Sequence, residues 1–252
     1  MKNTALITGA SQRIGKTISE KIAGKGWNVA IHFNKSKKNA YVLKDKLKIL
    51  GVKSDCIQAD LSKENELKNL FSKAKKSVGN INCLINNAST FELDSIENIN
   101  KKKWDYHLNV NIWAPIILIK EFKKNLPNNV PGNIINIIDQ RVMNLTPFFT
   151  TYTVAKSALW TLTQTLAMAL APNIRVNAIG PGPTFQSKRQ TVKQFKRQWK
   201  SIPLKTPVDP KEIADAVLFL LNSKSVTGQI INVDSGQHLG WAQGNNKKIL
   251  DE

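Results

Sequence analysis

Tyr152 and Lys156 stand four residues apart where a helical pattern begins, so their side chains share one helix face. A phenol is a weak acid with an ordinary pKa of about 10. An ammonium group beside it stabilises the phenolate and makes proton delivery at neutral pH feasible. Asp139 lies thirteen residues before Tyr152, at the end of the apolar run 133–138. A carboxyl group there can share in moving that proton; its plainer reading is a turn residue, since Asp favours such places. A Tyr-x-x-x-Lys pair alone is most often ordinary helix surface, so its meaning depends on the elements around it.

Those elements alternate in period. Residues 4–8, 28–33, 53–58, 81–86, 133–138, 173–179 and 228–233 read as short buried strands. Between them, 14–25, 35–50 and 63–78 have helical spacing, as does a longer stretch over 104–126 that Pro115 is expected to kink or shorten. Val154, Ala158, Leu159, Leu162, Leu166 and Leu170 predict one apolar face on the helix that carries Tyr152. Apolar strands alternating with helices predict an α/β fold, a parallel sheet covered on both faces. No linker, repeat or low-complexity break divides the chain, so one domain over 1–252 is expected.

The turn after the first strand places Thr8, Gly9 and Gly15 ahead of an amphipathic helix. Such a turn lets backbone approach a pyrophosphate, whose charge the helix N-terminus favours. Arg13 can project its guanidinium toward phosphates or an acidic group, or stand as a solvated surface charge. An NAD site holds the ribose 2′-hydroxyl with a carboxylate about 20 residues past the glycines. Residues 21–44 contain no Asp or Glu; His32, Asn34, Lys35 and Ser36 stand there instead, with Lys37 and Lys38 behind them. A carboxylate would repel a 2′-phosphate, whereas Lys35 and the Ser36 hydroxyl can bind one by charge-assisted hydrogen bonds. NADPH is therefore the expected cofactor, and lysines that merely begin a helix leave the missing acid unexplained. Asp60, after the third strand, suits an adenine amino group or a helix N-cap. Asn87 and Ala88 end the fourth strand, on the side where such sheets bind ligands.

Composition narrows the class. With 252 residues, 41% hydrophobic and 22% charged, the chain can bury a core without staples. Cys56 and Cys83 have no Cys or His partners at metal-binding spacing and suggest no disulfide framework. No metal is expected. No run of about 18 apolar residues predicts a membrane span, and a strand pattern that begins at once leaves no room for a signal peptide. The expected location is cytoplasmic. A net charge of +19 raises nucleic acid as a partner. The lysines are scattered, however, and no RNP-like aromatic pattern or zinc-finger spacing accompanies them. A solvated basic surface is the preferred reading, and a cofactor with several phosphates is a simpler beneficiary of the charge.

From Thr4 to about Trp241 the chain resembles the short-chain dehydrogenase/reductases. The matching pieces are Thr8, Gly9, Arg13 and Gly15 in the first turn, NNAS at 86–89, Asn111 in NVNIWAP, Tyr152, Lys156 and NAIGPG at 177–182. Arg13 replaces the middle glycine of the TGxxxGxG pattern. The resemblance implies a Rossmann fold, a seven-stranded sheet ordered 3-2-1-4-5-6-7, NAD(P)-dependent hydride transfer and a homotetramer. It also implies that Asn111 holds a water connecting Lys156 to solvent. The implied cofactor site is lined at the first turn by Gly9, Arg13, Ile14 and Gly15. Beyond the second and third strands it takes in His32, Phe33, Asn34, Lys35, Ser36, Asp60 and Leu61. On the nicotinamide side stand Asn87, Ala88, Ser89, Lys156, Pro181, Gly182 and Thr184.

Within that family the chain most resembles the pteridine reductases and the bacterial dihydromonapterin or dihydrofolate reductases. Arg13, Asp139 in place of the usual serine, and Ser89 and Phe91 in NNASTF carry this likeness. It implies that Arg13, Ser89, Phe91, Asp139 and Tyr152 contact substrate, with Phe91 sandwiching a pterin ring against the nicotinamide by offset stacking. Apart from the family, a loop aromatic packed on the core is an equal reading of Phe91. A ketone needs a hydrogen-bond donor at its oxygen, which a serine supplies. A pteridine ring nitrogen must instead receive a proton as hydride arrives at the adjacent carbon. A carboxylic acid beside Tyr152 can pass a proton through the phenol or hydrogen-bond the aminopyrimidine-like edge of the ring, and burial raises its pKa and helps it hold that proton.

The expected function is NADPH-dependent reduction of a dihydropterin, pterin or dihydrofolate. A carbonyl reductase of 3-oxoacyl or sugar-like substrates is the enzymatic alternative. The intact Tyr152, Lys156 and Asn111 disfavour a noncatalytic NADPH- or nucleic-acid-binding protein. A substrate-covering segment is expected at about 183–205; within it, 187–200 holds six basic residues and no acid. That run reads either as a solvated helix face or as an attraction for an anionic substrate tail. His238 is read as structural, and the polar tail at 242–252 as mobile or packed on a neighbouring subunit.

Overall fold

In the computed structural model, which describes residues 2–240, all seven apolar runs become strands. They are β1 (Thr4–Ile7), β2 (Asn28–Phe33), β3 (Ser54–Gln58), β4 (Cys83–Asn86), β5 (Gly132–Ile137), β6 (Ile174–Pro181) and β7 (Ile230–Val233). Every neighbouring pair is parallel, in the order β3-β2-β1-β4-β5-β6-β7. Eight α-helices lie among the described residues: α1 (Arg13–Ala23), α2 (Lys37–Ile49), α3 (Glu64–Val78), α4 (Lys101–Leu108), α5 (Ala114–Asn125), α6 (Thr150–Ala169), α7 (Val192–Lys200) and α8 (Pro210–Asn222). The tail at 242–252 lies outside the described residues. No described helix is long and apolar enough to cross a membrane.

β1, β2 and β4, inside the sheet, are buried along their whole length, which explains their apolar runs, whereas the edge strands β3 and β7 are only part-buried. Successive side chains point to opposite sides of the sheet. Ala5, Ile7, Val29, Ile31, Ile85 and Ile137 meet Ile18 and Ile22 of α1, Leu43 and Leu47 of α2 and Val217 of α8. Leu6, Ala30, Leu84, Ile134 and Val176 meet Leu67 and Phe71 of α3, Leu118 and Phe122 of α5 and Ala167 of α6. Cys83 is buried in the first layer and Cys56 packs against it, both as free thiols.

The α-helical stretch expected over 104–126 is shortened near Pro115. A π-helical stretch, Asn109–Trp113, joins α4 to α5 and leaves Pro115 in the first turn of α5. The first turn is where a missing N–H is best tolerated. The buried face of α6 overlaps the predicted one and extends beyond it. Leu159 and Leu170 are buried and Leu162 and Leu166 pack on the core, but Val154 is 42% exposed. Thr151, Tyr152, Ala155, Lys156, Thr163 and Ala167 are buried as well. Polar residues occupy this face because each has a partner inside: Thr163 Oγ1 donates to the Leu159 carbonyl (2.8 Å), and Lys156 Nζ to the Ile137 carbonyl (2.9 Å).

A buried amide chain fixes that face against the sheet. Asn86 Nδ2 donates to Asn136 Oδ1 (2.8 Å), and Asn136 Nδ2 donates to Thr163 Oγ1 (2.9 Å), linking β4, β5 and α6. Asn136 is fully buried, so its removal strands the Asn86 donor. Asn136→Ala should lower stability by about 2–3 kcal/mol. Urea unfolding would read this as a lower midpoint with an unchanged m-value, and an unchanged midpoint would contradict it.

Candidate active site

The strand order reverses between β1 and β4, and a crevice opens there at the carboxyl ends of the strands. Thr8 and Asn87 clamp its two sides. The N–H groups of Asn87 and Ala88 both donate to Thr8 Oγ1 at 2.9 Å, and Asn87 Nδ2 donates to the Thr8 and Gly9 carbonyls at 2.8 and 3.1 Å. The turn closes tightly enough to require glycine. A Cβ on Gly15 would lie 2.4 Å from the Gly9 carbonyl oxygen and 2.6 Å from Asn87 Nδ2.

From this clamp a cavity of about 470 Å³ runs past Gly9, Arg13, Ile14 and Gly15 to His32, Phe33, Asn34, Lys35 and Ser36, with Asp60, Leu61, Ala88 and Ser89 on its other side. Its features fit a dinucleotide with a 2′-phosphate. The start of α1 has no side-chain cap and no acid in its first turn, which leaves N–H groups for an anion. Ser36, the N-cap of α2, makes no capping hydrogen bond with its side chain, and Lys35 beside it is exposed. Asp60 is no N-cap; its Oδ1 accepts from the N–H and hydroxyl of Ser62 (3.0 and 2.7 Å), and α3 starts further on.

His32 lines this cavity but has no ring nitrogen left for a ligand. The Gly9 N–H donates to Nδ1 (3.0 Å), and Nε2 lies 3.0 Å from the Ala59 carbonyl. An N–H can only donate and a carbonyl can only accept, so the ring is neutral with its proton on Nε2. Burial holds its pKa down at about 4. The ring nitrogens of His32 therefore brace the glycine turn, and only its ring surface and main chain are left to face the cavity.

A second cavity of about 430 Å³ adjoins the first and shares Arg13, Ile14, Asn87 and Ser89 with it. It holds Asp139, Tyr152 and Lys156, with Phe91, Pro181, Gly182 and Thr184. The Tyr152 hydroxyl donates to Asp139 Oδ2 at 2.9 Å, and Asp139 Oδ1 accepts the Arg141 N–H at 2.8 Å. Burial, and then the Asp139 charge and hydrogen bond, push the Tyr152 pKa well above its ordinary value. Lys156 is buried, which lowers its pKa to about 8, against a smaller upward pull from Asp139. Its Nζ lies 5.8 Å from the Tyr152 ring centroid. Burial first and Asp139 second thus outweigh the lowering by the Arg141 charge and the Ser89 hydrogen bond, and the hydroxyl keeps its proton.

Asn111 is the one expected site residue that lines neither cavity. It is buried, and its side chain ties down the loop after β4: Oδ1 accepts from Ser89 Oγ (3.0 Å) and the Thr90 N–H (2.9 Å), and Nδ2 donates to the Thr90 carbonyl (3.0 Å). A water at Asn111 has its main-chain carbonyl and the second Nδ2 hydrogen as partners. The residue four positions on, Pro115, has no N–H to give that carbonyl.

Phe91 stacks on Phe149, with ring centroids 4.4 Å apart and planes 12° from parallel, and meets Tyr152 edge-on at 4.7 Å. Phe149 has a left-handed backbone (φ 60°) at the start of α6, and its N–H donates to the Asp94 carbonyl (2.7 Å). A buried chain anchors the same loop: Thr151 Oγ1 bonds to Asp94 Oδ2 and to His107 Nδ1, and His107 Nε2 accepts the Glu92 N–H (3.0 Å). The Arg189 guanidinium lies 4.6 Å from the Phe91 ring centre and 5.1 Å from that of Phe149, beside the stack, and donates to the Phe91 carbonyl at 2.8 Å. Arg13 behaves alike across the cleft. It donates to the carbonyls of Gln186 (3.2 Å) and Phe185 (3.4 Å) and lies 4.9 Å from the Phe185 ring centre. Sequence reasoning missed Phe149, Arg189, Gln140 and Gln237; the run of basic residues at 187–200 was the one signal pointing toward Arg189.

A glycine-lined turn at the switch point of a doubly wound sheet, beside a tyrosine, a buried lysine and an aspartate, defines a Rossmann-type oxidoreductase. A family model described as enoyl-(acyl carrier protein) reductase matches residues 9–238. The 3-oxoacyl-(acyl-carrier-protein) reductase FabG of Staphylococcus epidermidis is 30% identical over 244 residues, covering 95% of this chain and 100% of that protein. The FolM alternative dihydrofolate reductase 1 of Brucella suis, crystallised with NADP, is 41% identical with a TM-score of 0.93, over 96% of this chain and 97% of that one. A blue fluorescent protein from a metagenomic library, crystallised with NADPH, is 26% identical with a TM-score of 0.85, over 93% and 97% of the two chains. The chain belongs to the short-chain dehydrogenase/reductase family.

The brace at His32 sets a pH dependence. The folded pKa of about 4 lies below the ordinary 6.5, so between these values the unfolded chain binds a proton that the folded chain refuses. That contribution to stability is complete above about pH 6.5 and is lost as pH falls toward 4, by roughly 3 kcal/mol. In His32→Asn, the fall in unfolding free energy between pH 6.5 and 4 should shrink by about that amount. Urea titrations at both pH values check this, and parallel falls in the two proteins would refute it.

Proposed function

We propose that the protein is an NADPH-dependent reductase of pteridines, acting on a dihydropterin, a pterin or a dihydrofolate. The observation that carries this reading is the hydrogen bond from Tyr152 to Asp139 Oδ2. A carboxylate that accepts the phenol's proton offers no donor to a ketone oxygen, but it makes a proton relay for a ring nitrogen. The FolM relative supports the same substrate class.

Bound NADPH supplies the hydride. The glycine turn and the uncapped start of α1 receive the pyrophosphate, Lys35 and Ser36 the 2′-phosphate, and Asp60 the adenine amino group. Tyr152 gives its proton to the ring nitrogen as hydride reaches the neighbouring carbon. A phenolate left beside the Asp139 carboxylate would be unfavourable, as the raised Tyr152 pKa indicates. The phenol oxygen therefore takes up a proton from solvent, handed on through the Asp139 carboxylate that is hydrogen-bonded to it, as the phenol gives up its own. Lys156, with a pKa of about 8, lends positive charge to this exchange near neutral pH.

Carbonyl reduction is the second reading, favoured by the FabG-type relatives. Oxidation of NADPH measured against dihydro and oxidised pteridines and simple ketones separates the two. Turnover of the pteridines is expected, and turnover of ketones alone would overturn the proposal. Asp139→Ser should lower pteridine kcat by about 10²-fold, the scale of general acid–base assistance; unchanged turnover would remove Asp139 from the relay. Lys35→Glu should raise KM for NADPH about tenfold, the equivalent of about 1.4 kcal/mol, and leave KM for NADH within about twofold. Equal effects on the two cofactors would exclude a 2′-phosphate contact.

A further inference from the structure

Two buried amides in the wall of the 430 Å³ cavity lack hydrogen-bond partners. Gln237, on the turn Gln237–Leu239 after β7, is 1% exposed, and neither Nε2 nor Oε1 has a partner. Gln140, the residue after Asp139, is 2% exposed, and its Oε1 has no partner. Both stand on short 3-10 turns that pack together, and Asn144 Nδ2 donates to the Gln237 main-chain carbonyl at 3.0 Å. The backbone at Gln237 is therefore held in place while its amide is not.

Buried side-chain polar atoms nearly always find a partner, and each exception calls for a cause. The fold does not gain stability from three such atoms gathered in one wall. The neighbouring polar group is already engaged: both oxygens of Asp139 accept hydrogen bonds, from the Arg141 N–H and from Tyr152. A substrate edge aimed at Asp139 must displace one of these, whereas at Gln237 a donor and an acceptor stand side by side with nothing to displace. A primary amide of this kind pairs with a flat ring edge that carries an adjacent acceptor and donor, as glutamine does with adenine. The terminal torsion of a glutamine is soft, so the amide can turn to meet such an edge without backbone movement.

We infer that Gln237, with Gln140 beside it, recognises the donor–acceptor edge of the substrate ring, the lactam or amino-lactam side of a pteridine, and so fixes which face and which carbon meet the hydride. The inference rests on the pteridine reading and adds to it the residues that orient the ring. An alkyl ketone offers these amides nothing and leaves them stranded, so the same wall discriminates against it.

Gln237→Met keeps the length of the side chain and removes both polar atoms. Without substrate, the variant should melt about 2–4 °C higher than the wild type, because a stranded amide is gone. With dihydrobiopterin as the probe, KM should rise about tenfold, the equivalent of about 1.4 kcal/mol, and kcat should fall as well, since a ring free to turn presents other carbons to the hydride. Gln140→Met should raise KM in the same direction. A lower melting temperature, or failure to fold, would mean that the amide is structural and would overturn the inference. An unchanged KM in an active variant would overturn it as well. A weakened NADPH affinity by fluorescence titration, with KM for the pteridine unmoved, would assign the amide to the cofactor and overturn it too. If the wild-type protein turns over no pteridine, the proposed function itself falls and takes this inference with it. An active wild type with an indifferent Gln237→Met removes the inference alone.

Discussion

The hydroxyl of Thr8 holds the two halves of the sheet's loop edge together. It accepts two N–H groups from the loop after β4 while standing at the end of β1, where the strand order reverses. A parallel sheet places all its strand ends, and so all its functional loops, on one edge. Without a tie at the switch point, the glycine turn and the β4 loop would have no fixed separation. Gly15 sets the other limit, since its missing Cβ lets Asn87 reach the turn. Both cavities begin at this tie, and His32 supports it from below through the Gly9 N–H.

The electrostatics of the inner cavity are lopsided. Arg13, Arg141, Lys156 and Arg189 line it, with Asp139 as the single acid among the lining residues. Coulomb attraction at low dielectric would draw Asp139 toward any of these cations, yet its side chain bonds to a phenol and a backbone N–H. The guanidiniums of Arg13 and Arg189 meet carbonyl oxygens and ring faces instead. The carboxyl group thus stays coupled to the tyrosine and has no salt bridge among the described residues.

The sheet was legible because strands covered on both faces are mostly apolar, a pattern that survives without any knowledge of partners, and the buried Asn86 and Asn136 interrupt it only singly. The Tyr152–Asp139 pairing was legible through the family resemblance, since the segment 138–149 that separates β5 from α6 is too long to fix it. The face of α6 was legible in its leucines alone, because Tyr152, Lys156 and Thr163 lie inward with partners on β5, just beyond it and on the helix itself. His32 read as a ligand group because sequence shows a side chain's type and hides the two backbone groups that occupy it. Gln237 stands 85 residues beyond Tyr152 in a run whose only titratable neighbours are Asp234 and His238, so nothing local marked it. Its hydrogen-bond deficit exists only in three dimensions.

Arg13 occupies a backbone position (φ 52°) that suits the glycine it replaces. Its side chain belongs to the glycine turn by covalent bonds and to the segment over the inner cavity by two hydrogen bonds and a ring face. The two cavities therefore share a residue whose backbone shapes the turn of the first and whose guanidinium is bound at the rim of the second, so a substitution at Arg13 acts on both at once.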